Sequence, residues 1–412
     1  MIDINLIRNE TDKVKKGVAL KGSKADIDKV LSLDERRREL TVKVDNLRQQ
    51  RNEAASNKDI ELGKKVKQEL ALLEAELEKA NKEYKEELMT IPNLPDPASP
   101  QGKGEDDNVE VKIVGEKPEF GFTPKDHVEI GKNLEIIDFE RGAKVSGSGF
   151  YYLKNEGALL EIALVSYGLH FLQSRGFMPI ITPDLARERF YLGTGYAPKG
   201  DEAQTYKIED ADLGLIATAE VTIAGYHADE ILDGKTLPKL YGGYSHCFRQ
   251  ESGAYGKYSK GLYRVHQFTK VEMFAYTKAE ESKKTHEKFL ALEEEFWQSL
   301  GISYRVLEMC TGDLGSQAAR KFDLEAWMPG RGDWGEVTST SNTTDYQARN
   351  LNIRYKDEEG VKFAHMLNGT LVATSRGIIA ILENFQQADG TVRIPEVLVP
   401  YMGGVSEIKV KK

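Results

Sequence analysis

Between residues 26 and 90 the chain contains no proline and a single glycine, Gly63, in a stretch dominated by Leu, Glu, Lys and Arg. Val30, Leu33, Arg37, Leu40, Val44, Leu47, Arg51 and Ala54 recur at steps of three and four residues. Val66, Leu70, Leu73, Leu77, Ala80, Tyr84 and Leu88 do the same. Such steps draw one seam along a helix, the pattern of a coiled coil. The seam breaks only near Ser56-Asn57-Lys58-Asp59, a turn composition. Two helices of about 30 residues joined by so short a turn pair as an antiparallel hairpin, roughly 45 Å long at 1.5 Å per residue. A coil joining two chains is the alternative that the seam alone leaves open. "IPNLPDPASP" (91–100) carries four prolines in ten residues and ends the helix, because proline lacks the amide donor and restricts the residue before it.

The 412 residues suffice for two or three domains, and no apolar run reaches the roughly 18–20 residues that span a bilayer. "MIDINLIRNE" has neither the basic region nor the apolar run of a signal peptide. Cys247 and Cys310 stand far apart and outside any metal-ligand spacing, so neither a disulfide framework nor zinc is expected, and the cytoplasm is the expected compartment. The net charge of −9 argues against a coat of basic residues for generic nucleic-acid binding. Residues 1–90 hold 20 basic and 19 acidic side chains, leaving 37 and 47 for the rest. The asymmetry permits a nucleic-acid contact at the near-neutral N-terminal part but does not demand one.

From about residue 109 the pattern mixes helices and strands. "NEGALLEIALVSYGLHFLQSRG" (155–176) and "ESKKTHEKFLALEEEFWQSLG" (281–301) are helical, and "FMPIITPDL" (177–185) is a strand. "GDWGEVTSTSNTTDYQARNLNIRY" (332–355) is expected to form a polar-faced strand, a turn and another strand. "GTLVATSRGIIAILENFQ" (369–386) runs from strand into helix. Strands outnumber the crossover helices that a parallel sheet needs, which favours a mostly antiparallel α+β body.

Neither a GxxxxGK[ST] loop nor a GxGxxG turn occurs, so phosphate handling would fall to arginine forks. Arg249, Arg264 and Arg376 have suitable settings, and each read singly has a structural ion pair as its alternative. In "CFRQESGAYGKYSKGLYRVHQFTKVEMF" (247–274) two strands flank a long polar turn, with arginines and carboxylates on both sides. The "KYSK" within it lacks a HIGH partner and reads as part of that turn, and His246 and His266 read as structural.

In combination, "FRQE" followed by "LYRVHQF" resembles motif 2 of the class II aminoacyl-tRNA synthetases, "GTLVATSRGIIAILEN" resembles their motif 3, and "RGFMPIITPDL" their motif 1. "TAE" (218–220), "EVTSTSNTTDYQARNLNIRY" (336–355), "HMLNGT" (365–370) and the N-terminal hairpin closed by "IPNLPDP" are similar to the seryl-tRNA synthetase branch. The resemblance implies a tRNA-binding arm over 1–100 and a class II antiparallel-sheet catalytic domain, flanked by helices, over 101–412. It implies a homodimer through motif 1, with L-serine, ATP, Mg²⁺ and tRNA(Ser) as partners, and it leaves tRNA(Sec) open as a second acceptor.

By the same resemblance Arg249, Arg376 and Glu336 carry the chemistry. ATP would meet Arg249, Gln250, Glu251, Arg264, Val265, Phe268, Glu336, Val337, Thr338, Ser339 and Arg376, with Glu336 and Ser339 on Mg²⁺. Serine would meet Thr218, Ala219, Glu220, Arg249, Glu272, Asn368 and Thr370. Arg36, Arg37, Arg38, Lys43, Arg48, Lys257 and Lys260 would meet tRNA. Leu371 stands where the common bacterial form carries a second glycine. Two other functions compete: a ligase that loads an amino acid onto a carrier protein, whose known members lack the arm, and a non-catalytic coiled-coil binding or regulatory protein, which would be free to lose Arg249, Arg376 or Glu336.

Overall fold

The computed structural model describes residues 1–196, 205–251 and 258–411, which separate into two compact units, 1–95 and 96–412. In the first, helix α1 (Ile27–Ser56) and helix α2 (Ile60–Leu88) pair within the chain as the seam requires. Asp26 and Asp59 cap their N-termini by accepting from Lys29 N–H and Leu62 N–H. Val30, Leu40, Val44, Leu47, Val66, Leu70 and Leu88 are buried between them, whereas Arg51 is exposed.

One layer of the seam is polar. Asp34 is 1% exposed and accepts from Arg8 Nε and Nη2 (both 2.8 Å) and from Arg37 Nη2 (2.9 Å), with Arg38 at 3.2 Å. Arg37 also stacks over the Tyr84 ring at 4.7 Å. Burial opposes ionisation of Asp34, but Arg37 and Arg8 hold its pKa below the usual aspartate value.

The second unit is built on an eight-stranded sheet. Its strands are β1 (Val109–Val114), β2 (Met178–Ile181), β3 (Lys239–Phe248), β4 (Gln267–Thr277), β5 (Tyr304–Glu308), β6 (Arg320–Met328), β7 (Asp333–Asn342) and β8 (His365–Ala373). They lie in the order β1-β5-β6-β7-β8-β4-β3-β2, and every pairing is antiparallel except β2 with β3. This is the mostly antiparallel α+β body expected from the sequence. Residues 343–353 differ from expectation: Tyr346–Leu351 is a short helix rather than a turn. Its Gln347 amide reaches Thr194 O and the Glu220 carboxylate, so tertiary bonds hold a helix too short to persist on its own.

Helices α3 (Glu156–Gln173), α4 (Ala279–Ser299) and α5 (Thr374–Asn384) pack on one face of the sheet. Leu164, Phe289, Trp297 and Ile378 there join Val271, Met273, Leu324 and Val372 in one core. Side chains alternate along a strand, so residues 268, 270 and 272 of β4 point to the other face. That second face carries the polar site.

Replacing Asp34 by Ala should lower the stability of the first unit by about 2 kcal/mol. This is less than the 3–5 kcal/mol typical of a broken fully buried pair, because Arg8 and Arg38 keep 28% and 56% exposure. Calorimetry of the full chain tests this: the transition of the helical hairpin should move to lower temperature, and an unchanged transition would show that the arginine cluster contributes nothing.

Candidate active site

Two interruptions in strand register decide which side chains share the polar face. Between β6 and β7, Thr338 pairs with Leu324 but Glu336 pairs with Glu325, so Val337 is an extra residue. Without this bulge Glu336 and Ser339, three apart, would point to opposite faces. With it, both lie on the face that also carries Asp323 and Glu325. Between β8 and β4, Thr370 pairs with Glu272 and Val372 with Val271, so Leu371 is the extra residue. Asn368, Thr370 and Ala373 therefore share a face with Glu272 and Lys270, while Leu371 is fully buried in the helical core. The leucine that stands in a glycine position faces α3 and does not enter the pocket.

A cavity of about 430 Å³ opens on this face. Of the expected nucleotide residues, Arg249, Glu251, Arg264, Val265, Phe268, Glu336, Val337, Thr338 and Arg376 form its wall, and so does Thr370. Gln250 is exposed and, like Ser339, lies outside that wall. Arg249, Glu251 and Arg264 sit just past the ends of β3 and β4 rather than within the strands. The ladder nonetheless continues to Arg249, whose N–H donates to His266 O at 3.0 Å.

The charges are already paired. Arg264 bonds Glu251, and Arg376 Nη1 lies 3.0 Å from Glu336 Oε1 while also donating to Glu336 O at 2.9 Å. Arg376 lies over the Tyr263 ring at 4.8 Å, and Arg249 over the Phe268 ring at 5.2 Å. Burial works to raise the Glu336 pKa, but Arg376 and Lys321 outweigh it and hold the group below the usual carboxylate value. The far side of the hairpin is anchored by His127. Leu262 N–H donates to its Nε2 (3.1 Å), so Nδ1 carries the ring proton and donates to Glu383 Oε1 (2.8 Å). That fixes the chain next to Tyr263 and Arg264.

Thr218, Glu220, Glu272 and Asn368 are buried beside the cavity rather than forming its wall. Thr218 begins a short helix, Ala219–Gly225, and caps it by accepting from Glu220 N–H. Glu220 accepts from Gln347 Nε2 (2.7 Å), Asn368 Nδ2 (3.0 Å) and Tyr196 OH (3.0 Å). Burial, then the Glu272 charge, pushes its pKa up to about 7.

Several of these groups escaped the sequence reading. Lys270 lines the cavity, pairs with Glu272 and donates to Thr370 Oγ1 at 3.3 Å. Its spacing of two from Glu272 could have revealed it, since period two puts both on one face. Tyr196 and Gln347 come from distant segments and Asp323 from a neighbouring strand, and no local pattern marks them. Among the described residues Asp323 Oδ1 is buried without a hydrogen-bond partner, and with Glu336 and Ser339 it gives one face hard oxygen donors suited to Mg²⁺. No group of three or more His, Cys, Asp or Glu among the described residues is arranged to hold a metal, so such a cation would need further oxygens from a phosphate.

Of the residues expected to meet tRNA, Arg36 pairs with Glu76, Arg48 with Glu74, Arg37 and Arg38 with Asp34, and Lys260 with Asp126. Lys43 is exposed, and Lys257 lies outside the described residues.

The chain matches two family models: the seryl-tRNA synthetase N-terminal domain over residues 1–95, and the class II tRNA synthetase core domain (G, H, P, S and T) over residues 205–385. A serine–tRNA ligase of Treponema denticola is 51% identical over 98% of this chain and 99% of its own length. One from Dictyoglomus turgidum is 51% identical over the whole of both. Among solved structures, seryl-tRNA synthetase from Pyrococcus horikoshii complexed with ATP aligns over all of both chains, with a TM-score of 0.91 and 42% identity. The cytoplasmic serine–tRNA ligase of Naegleria fowleri, in complex with AMP, aligns with a TM-score of 0.87 and 36% identity over 100% of this chain and 99% of that one. Identity of this level over the full length makes this chain a member of the seryl-tRNA synthetase family of class II aminoacyl-tRNA synthetases.

Proposed function

We propose that the protein is an ATP-dependent serine–tRNA ligase and that the cavity between Arg249 and Arg376 holds ATP beside serine. The observation that carries this reading is the convergence of Arg249, Arg264, Arg376 and Glu336 on one wall, next to a buried acidic pocket. The serine carboxylate attacks the α-phosphorus, the bond to the β-phosphate oxygen breaks, and pyrophosphate leaves. A ribose hydroxyl at the tRNA 3′ end then attacks the carbonyl of the adenylate and AMP departs. Arg249 is placed to stabilise the negative charge that grows at the α-phosphate. Arg376 and Arg264, released from Glu336 and Glu251, hold the outer phosphates. Phe268 offers a face for the adenine ring, and Val265 offers its backbone.

Mg²⁺ held by Glu336, Ser339 and Asp323 would supply charge neutralisation for the triphosphate. Glu220 receives the serine ammonium, and Glu272 and Thr370 receive its hydroxyl. Exposed Lys43 and the arginines of α1 suit recognition of tRNA by shape and backbone, in the cytoplasm where that substrate is charged. A homodimer through the motif 1 region is supported by the exposed apolar residues Ile162 (60%) and Ile181 (76%) on α3 and the edge strand β2.

Exchange of labelled pyrophosphate into ATP, without tRNA, should depend on serine and not on alanine or glycine. Arg249→Ala should lower that exchange by about 10²-fold or more, as loss of a charge stabiliser does. A loss below tenfold would remove Arg249 from the chemistry.

The Glu220 pKa gives a pH test. Ionised Glu220 attracts the ammonium and protonated Glu220 does not. Serine kcat/KM should therefore fall about tenfold per pH unit below about 7 while the ATP KM holds steady. A flat serine profile from pH 6 to 8 would assign the ammonium to another group.

A further inference from the structure

Lys270 is buried to 6% exposure on the site face, a costly place for an ammonium unless its bonds have a purpose. It meets the Glu272 carboxylate at Oε2 and donates to Thr370 Oγ1 at 3.3 Å. Thr218 Oγ1 also donates to Glu272 Oε2, at 3.4 Å, so both side-chain partners of Glu272 among the described residues use the same oxygen. All four residues are at most 9% exposed, and Lys270 and Thr370 form part of the cavity wall.

An ammonium can only donate. Thr370 Oγ1, facing Lys270, is therefore an acceptor in that bond, and its own proton must point elsewhere. Among the described residues it has no other hydrogen-bond partner, and the open direction is the cavity. Glu272 keeps Oε1 for a second donor. A hydroxyl placed between them accepts from Thr370 and donates to Glu272, and so both of its hydrogen-bonding capacities are matched in one direction only.

We propose that Lys270 is a positioning and specificity-determining residue that sets the hydrogen-bond polarity of the amino-acid pocket, making Thr370 the donor to the substrate hydroxyl and Glu272 its acceptor. This rests on the reading of the cavity as a serine-activating site. Without Lys270 the threonine hydroxyl is free to turn toward Glu272 and satisfy it internally. An amino acid lacking a hydroxyl then leaves no group unpaired, and the penalty that rejects alanine disappears.

The test compares kcat/KM for serine and for alanine in pyrophosphate exchange, in the unaltered protein, Lys270→Met and Lys270→Arg. Met cannot donate, whereas Arg, like Lys, can only donate. Lys270→Met should reduce the serine-over-alanine preference at least about tenfold, and Lys270→Arg should keep more of that preference than Met does. If Lys270→Met does not fold by circular dichroism, Lys270→Leu, which also cannot donate, takes its place and the same ratio decides. A preference that is unchanged while both amino acids lose activity equally would overturn the proposal and leave Lys270 as scaffold. If the unaltered protein shows no serine-dependent exchange, the reading of the site itself fails, an outcome distinct from that one.

Discussion

Two extra residues, Val337 in β7 and Leu371 in β8, are the constraint on which the rest of the site depends. A strand without a bulge offers each face only every second residue. Glu336 and Ser339 could not then serve one ligand, and Thr370 would share a face with Val372 rather than with Ala373. Each bulge shifts the alternation once, at the point where core packing on one side changes phase with charged chemistry on the other. Val337 and Leu371 bury their side chains against the helices, and this holds the bulges open.

The same geometry explains how so many charges survive beside a buried floor. Arg264 with Glu251, Arg376 with Glu336 and Lys270 with Glu272 are close pairs, so each is neutralised before any substrate arrives. Burying such pairs costs desolvation that their attraction only partly offsets, so they contribute little to stability. Their value lies in exchange: a phosphate can replace Glu336 on Arg376, and a cation can replace Arg376 on Glu336. Among the described residues Glu220 has no cationic hydrogen-bond partner and is held by amides and a phenol. That environment is what the proposed ammonium role of Glu220 rests on.

Much of this was legible from residue order. The three- and four-residue steps on either side of the short turn at Ser56–Asp59 pointed to the helical hairpin, the turn favouring pairing within one chain. Arg249, Glu251, Arg264 and Arg376 were visible as an arginine–carboxylate set, and all four reach the cavity wall. The bulges were not legible, since an extra residue is defined only against the partner strand. Neither was the Tyr346–Leu351 helix, whose support comes from Gln347 bonding across 127 residues to Glu220. Asp323 and Tyr196 escaped for the same reason. Lys270 was within reach of period two, but a lysine beside a glutamate reads as an exposed ion pair until its burial is known.

The most direct measurement is a crystal structure of the protein with a non-hydrolysable ATP analogue, Mg²⁺ and serine. The expected result is an α-phosphate at Arg249, with Arg376 turned from the Glu336 carboxylate onto an outer phosphate oxygen and Glu336 facing the cation. A nucleotide bound outside this cavity, or bound within it while the Arg376–Glu336 pair stays closed, would contradict the account.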